Sequence, residues 1–229
     1  MSTVETLRRH QLVHLTSEGW AGVLARPWDE EARECLGHWA ARRLPLVVTR
    51  QPAGGVGKVV ALGLPAPARW GRRRIAVRLR PTSVQRFDEF AGLSGVLPLF
   101  PPSARRVACD LRDELDACGA TARVYGSYGW QAISGLDHVR SGSDLDVWVA
   151  VKDAAHADRV ASQLRCFATA QPRLDGELMF PDGTAVAWRE WIEWRAGRVR
   201  AVMIKRLAGA ALRHDADWCE DDRIAALAA

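Results

Sequence analysis

The run SDLDVWVAV (residues 143–151) restricts what this chain can fold into more than any other stretch. Asp144 and Asp146 stand two apart at the head of an apolar segment, the pattern of a strand with a buried far end. Alternation then sends both carboxylates to one face while Leu145 and Val147 face the other. Two like charges held that close repel each other, and a divalent cation is a natural compensation. Upstream, residues 120–125 read as a short strand, and Gly126 and Ser127 end it and open a helix over 126–136. Free backbone amides at such a start bind phosphate. A phosphate cradle beside a carboxylate pair describes a phosphoryl or nucleotidyl transfer site. The cation expected is magnesium, or manganese in its place.

A second pair of acids two apart, Asp175 and Glu177 in LDGEL, is expected on a later strand; either one is a candidate third metal ligand, with Asp175 slightly favoured. Lys205, which closes the apolar run VRAVMIK, is a candidate phosphate contact, against the plainer reading of a solvated lysine at a strand end.

Around this centre the expected class is α+β. Residues 28–43 carry acids in the first turn and arginines in the last, as a helix dipole favours. Short apolar runs at 44–49, 58–64 and 74–80, divided by Gly and Pro clusters, read as strands. The segment 92–103 is the candidate boundary, ending at Ser103 as a helix cap. It divides a basic N-terminal α+β domain (1–100) from a catalytic domain (103–229). In the latter, residues 104–118 have helical spacing and stop at Gly119. Asp153 is expected to cap a helix through about Gln171. Strands at 173–180, 184–190 and 198–205 follow, then a terminal helix from about Arg206.

The chain has 229 residues, enough for one domain or two modest ones. The longest stretch without a charge is 15 residues (90–104) and contains three prolines, too little for a membrane-crossing helix. Charges precede any apolar run of signal length at the N-terminus, so a cytoplasmic location is expected. The five cysteines are widely spaced with no CxxC pair, which argues for small buried apolar side chains rather than zinc or a redox dithiol. The ten tryptophans are scattered and are read as core or pocket walls. Residues 35–87 contain eleven Arg or Lys and no Asp or Glu, in a chain of net charge +5. That segment suits an acidic partner or a polyphosphate; a solvated arginine-rich face is the alternative. It holds no nucleic-acid-binding motif.

The order strand, Gly-Ser, helix, strand with Asp-x-Asp resembles the nucleotidyltransferase signature of the polymerase β superfamily. More narrowly, YGSYGWQAISGLDHVRSGSDLDVWV (125–149) resembles the malonate decarboxylase holo-acyl-carrier-protein synthase family, the phosphoribosyl-dephospho-CoA transferases. The similarity extends through LPLVVTRQ, VALGLPAP, LDGELMFPDGTAVAWREW and VMIKR. The resemblance implies that Asp144 and Asp146 are the catalytic aspartates. It also implies transfer of the phosphoribosyl-dephospho-CoA prosthetic group from 2′-(5″-triphosphoribosyl)-3′-dephospho-CoA to a serine of the apo acyl carrier protein subunit, with release of diphosphate.

Two other motifs fail. AGGVGKVV (53–60) lacks the first glycine and the Ser or Thr of a P-loop. HQLVH (10–14) has histidines at helical spacing but no adjacent Glu, so packing or surface histidines are expected rather than zinc ligands. The alternatives kept are a general nucleotidyltransferase using ATP or another nucleoside triphosphate, and a non-catalytic nucleotide- or RNA-binding module.

Overall fold

Capping side chains and apolar spacing set the helices of the N-terminal half. The computed structural model describes residues 7–51 and 59–214. Helix α1 (Ser17–Leu24) begins where Thr16 Oγ1 accepts the Gly19 N–H at 2.9 Å. Helix α2 (Glu30–Ala41) begins where Asp29 Oδ1 accepts the Ala32 N–H at 2.9 Å. Its buried residues Ala32, Cys35, Leu36 and Trp39 form one stripe of helical period. The stripe packs on a sheet of strands β1 (Leu12–Leu15), β2 (Leu46–Val48), β3 (Val60–Pro65), β4 (Arg74–Leu79) and β5 (Val84–Asp88). Their order is β4-β3-β2-β1-β5, with every pairing antiparallel. On edge strand β4, Ile75, Val77 and Leu79 point into the core while Arg74, Ala76 and Arg78 face out.

The second half is a sheet of six strands in the order β11-β10-β9-β8-β7-β6. They are β6 (Ala122–Val124), β7 (Leu145–Ala150), β8 (Leu174–Met179), β9 (Ala185–Ala187), β10 (Ala201–Lys205) and β11 (Ala210–His214). Only β7 and β8 pair in parallel, which requires a crossover connection. Helix α6 (Ala154–Cys166) supplies it, capped by Asp153 through the His156 N–H at 2.7 Å. Helices α3 (Leu93–Val96), α4 (Pro102–Ala117), α5 (Gly126–Ser134) and α7 (Trp188–Arg195) complete this half, giving a mixed α+β architecture. The two halves are sewn together. Ala68 N–H donates to Asp137 O at 2.9 Å, Gln51 N–H donates to Leu207 O at 2.9 Å, and Trp130 of α5 is buried in the first core.

Several sequence expectations are corrected. Residues 12–15, to which the sequence assigns no element, are a strand, because Leu12 and Val13 pair with β2 and β5. Ser103 is not a cap: α4 starts at Pro102, whose missing N–H is no loss in a first turn. The candidate boundary 92–103 itself carries α3 and buries Leu93, Val96 and Phe100 in the second core. Helix α6 ends at Cys166 rather than near Gln171. The strand expected over 184–190 stops at Ala187, where Trp188, Trp191 and Trp194 begin the buried stripe of α7. After Arg206 a tight turn, Arg206 N–H to Gly209 O at 2.7 Å, returns the chain as β11 instead of starting a helix. Cys35 is buried as expected, but Cys166 is exposed. The P-loop-like segment falls mostly on 52–58, and Cys219 beyond 214, outside the described residues.

Trp191 is fully buried, and its Nε1–H donates to Asp158 Oδ1 at 2.9 Å. Trp191→Ala leaves a cavity and strips Asp158 of a donor, so urea unfolding should show a loss of about 3–5 kcal/mol.

Candidate active site

Strand register brings the acids together. Asp146 on β7 is the partner of Asp175 on β8 in the parallel pairing, and Asp144 immediately precedes β7. Strand β6 ends one residue before Tyr125, whose N–H donates to Asp146 O at 2.9 Å, and α5 starts at once with Gly126 and Ser127. The Asp146 carboxylate lies directly against Gly126. A β-carbon at Gly126 would sit 2.0 Å from Asp146 Oδ2, and its φ of +61° is one that glycine adopts freely. Gly176, between Asp175 and Glu177, is equally constrained: a β-carbon there would lie 1.8 Å from Val147 O. Gly126 therefore lets the start of α5 pack on the Asp146 carboxylate, and Gly176 lets β8 run close against the backbone of β7.

The carboxylates differ in their partners. Arg173 donates to both oxygens of Asp144, through Nε at 2.9 Å and through Nη2, and approaches Asp175 Oδ2 at 3.9 Å. Its hydrogen bond holds Asp144 below the usual carboxylate range. Asp175 Oδ1 accepts the N–H of Gly176 at 2.9 Å. Among the described residues, nothing donates a hydrogen bond to the Asp146 carboxylate. Burial, and then the charges of Asp175 and Asp144, push it up to about 6.

Glu177 does not join the other three. Only 5% exposed, it accepts from Arg9 Nη2 at 3.0 and 3.1 Å and from Lys205 Nζ at 2.9 Å, and lies 2.9 Å from His10 Nε2. Burial raises its pKa, but the His10 hydrogen bond and the charges of His10 and Arg9 outweigh burial, so it stays well below the usual range. His10 also stacks on Tyr125 at 4.1 Å between ring centroids. Burial, then the charges of Glu177, Asp146 and Asp175, raise the Tyr125 phenol.

Sequence reasoning missed Arg173, Arg9 and His10. Arg173 directly precedes LDGEL, the one signal available for it; Arg9 and His10 lie 168 and 167 positions from Glu177 and carry none.

The donor set tests the expected cation. All three acids offer oxygen, and Asp146 lacks a compensating donor, which fits a hard divalent ion. Among the described residues no three ligating side chains already converge on one point. Arg173 bridges two of the acids and is 55% exposed, so solvent reaches the guanidinium that pairs with them.

Because Asp146 is raised above its unfolded value of 3.8, the native state keeps a proton that the unfolded chain has released between about pH 4 and 6. The contribution of Asp146 to stability therefore falls as pH rises through that window. In EDTA, Asp146→Asn should therefore unfold at higher urea than the wild type at pH 7.5 and nearly together with it at pH 4.

The family model of the phosphoribosyl-dephospho-CoA transferase MdcG N-terminal domain matches residues 8–90, and that of the C-terminal domain matches residues 92–216. A phosphoribosyl-dephospho-CoA transferase of Bradyrhizobium diazoefficiens is 37% identical over 193 residues, 80% of each chain. One of Xanthomonas campestris pv. campestris is 33% identical over 206 residues, 89% of this chain and 92% of its own. One of Pseudomonas aeruginosa is 33% identical over 156 residues, 66% of this chain and 70% of its own. No solved structure matches. With both halves of the chain matched in order and relatives at 33–37% identity over most of its length, this chain belongs to the phosphoribosyl-dephospho-CoA transferase family.

Proposed function

We propose that this chain transfers the phosphoribosyl-dephospho-CoA group from 2′-(5″-triphosphoribosyl)-3′-dephospho-CoA to a serine of the apo acyl carrier protein subunit of malonate decarboxylase. The observation that carries the reading is the unpartnered Asp146 carboxylate packed on Gly126 at the start of α5 and in register with Asp175. It joins a phosphate-binding helix start to a cation-binding carboxylate group.

Asp144, Asp146 and Asp175 are the residues that would hold magnesium or manganese, which neutralises charge on the triphosphate oxygens when bound. Glu177 is left out because Arg9, His10 and Lys205 already claim it. The backbone amides of Gly126 and Ser127 in the first turn of α5 hold phosphate oxygens. The carrier serine Oγ attacks the α-phosphorus, forming one P–O bond while the bond to the β-phosphate oxygen breaks. Diphosphate leaves in line, and the serine proton passes to solvent. Arg74, Arg78 and Arg80, exposed along and just after β4, offer a positive face to an acidic carrier. Among the described residues no helix is long and apolar enough to cross a membrane.

Incubated with magnesium, the triphosphoribosyl precursor and apo carrier, the protein should raise the carrier's mass by the whole prosthetic group. A serine-to-alanine carrier should gain nothing, and Asp146→Asn should slow transfer by about 100-fold or more. An AMP adduct from ATP, with none from the precursor, would replace this reading by that of a general nucleotidyltransferase.

A further inference from the structure

The face that carries Asp175 is electrically divided. At one end three carboxylates, Asp144, Asp146 and Asp175, meet one guanidinium, that of Arg173. Two positions further along β8, one carboxylate, Glu177, meets two fixed cations, Arg9 and Lys205, with the His10 imidazole beside them. Negative charge is in excess at the first end and positive charge at the second. Strand alternation puts Asp175 and Glu177 on one face, and the Tyr125 ring packs on His10 beside Glu177.

The cations at Glu177 are neither spent nor sealed away. Arg9 is 24% and Lys205 34% exposed. Within the described residues Lys205 uses one of its three ammonium donors, and Arg9 uses Nη2 alone while its buried Nε has no partner. The chain also accepts a local cost to deliver them. His10 has a φ of +60°, the left-handed region that a residue with a β-carbon adopts only at a cost. That bend lets two consecutive side chains, Arg9 and His10, reach the same carboxylate.

We infer that Arg9 and Lys205, with Glu177 and His10 as the positioning residues that aim them, form a diphosphate-binding clamp contributed jointly by the N-terminal segment and the catalytic sheet. The inference rests on the transferase reading for its substrate: the clamp takes the β- and γ-phosphates that leave as diphosphate, while the α-phosphate lies by the aspartates. It makes the segment ahead of β1 part of the active site and gives Glu177 a role other than metal ligation.

The test is isothermal titration of inorganic diphosphate into the full-length protein without metal, at low and at moderate salt. Wild type should bind in a salt-sensitive manner, and Arg9→Gln and Lys205→Gln should each weaken binding about tenfold or more. Arg198→Gln, which alters a surface pair with Glu193, should bind as wild type does. Thermal melts identify any variant that does not fold, and Lys205→Gln, at the more exposed position, then decides alone. In the transfer assay the same variants should raise KM for the precursor more than they lower kcat. No diphosphate binding by wild type, or equal binding by wild type and both variants, overturns the clamp. Loss of binding in the variants together with no carrier modification by wild type would leave the clamp standing and overturn the transferase reading instead.

Discussion

The contact on which the active face depends is that of the Asp146 carboxylate with the α-carbon of Gly126. With a side chain at 126 the acid and the start of α5 cannot share their present positions. With glycine there, β6, α5 and β7 close into one turn of chain, and the parallel pairing of β7 with β8 brings Asp175 opposite Asp146. The arrangement is costly to a carboxylate by itself, as the rise of Asp146 to about 6 indicates. A site that disfavours its own charge in the free protein is suited to a ligand that brings the opposite charge.

The two halves of the molecule are not independent around this contact. Trp130, from the helix that carries Gly126 and Ser127, is buried in the core of the N-terminal sheet, where it meets Phe90 edge-on at 5.4 Å. Arg9 and His10 cross in the other direction to the buried Glu177. A buried carboxylate needs partners, since breaking such a pair leaves an uncompensated charge. Glu177 therefore ties the N-terminal segment to the six-stranded sheet whatever else it does.

Much of this architecture was legible in the sequence, and what was not had physical reasons. Helix α2 announced itself by acids in its first turn and arginines at its end, α6 by its Asp cap and amphipathic pattern, and β4 by alternation. Strand β1 did not, because it is buried on both faces and shows no alternation. Strand β11, AALRH, has the composition of a helix and is a strand only because β10 offers it a full ladder of partners. At the site, Asp144, Asp146, Gly126 and Ser127 stood out because their spacing is local. Arg173 could be seen beside LDGEL but not its target, and the meeting of Arg9 and His10 with Glu177 exists only in three dimensions.

The central claim is that the Asp146 group is a cation site completed by substrate. Manganese binding, followed by the electron paramagnetic resonance of the free ion, tests it most directly. Wild type in the presence of the triphosphoribosyl precursor should take up manganese more tightly than wild type alone, and Asp146→Asn should lose that uptake while remaining folded. Equal uptake by wild type and Asp146→Asn would contradict the account.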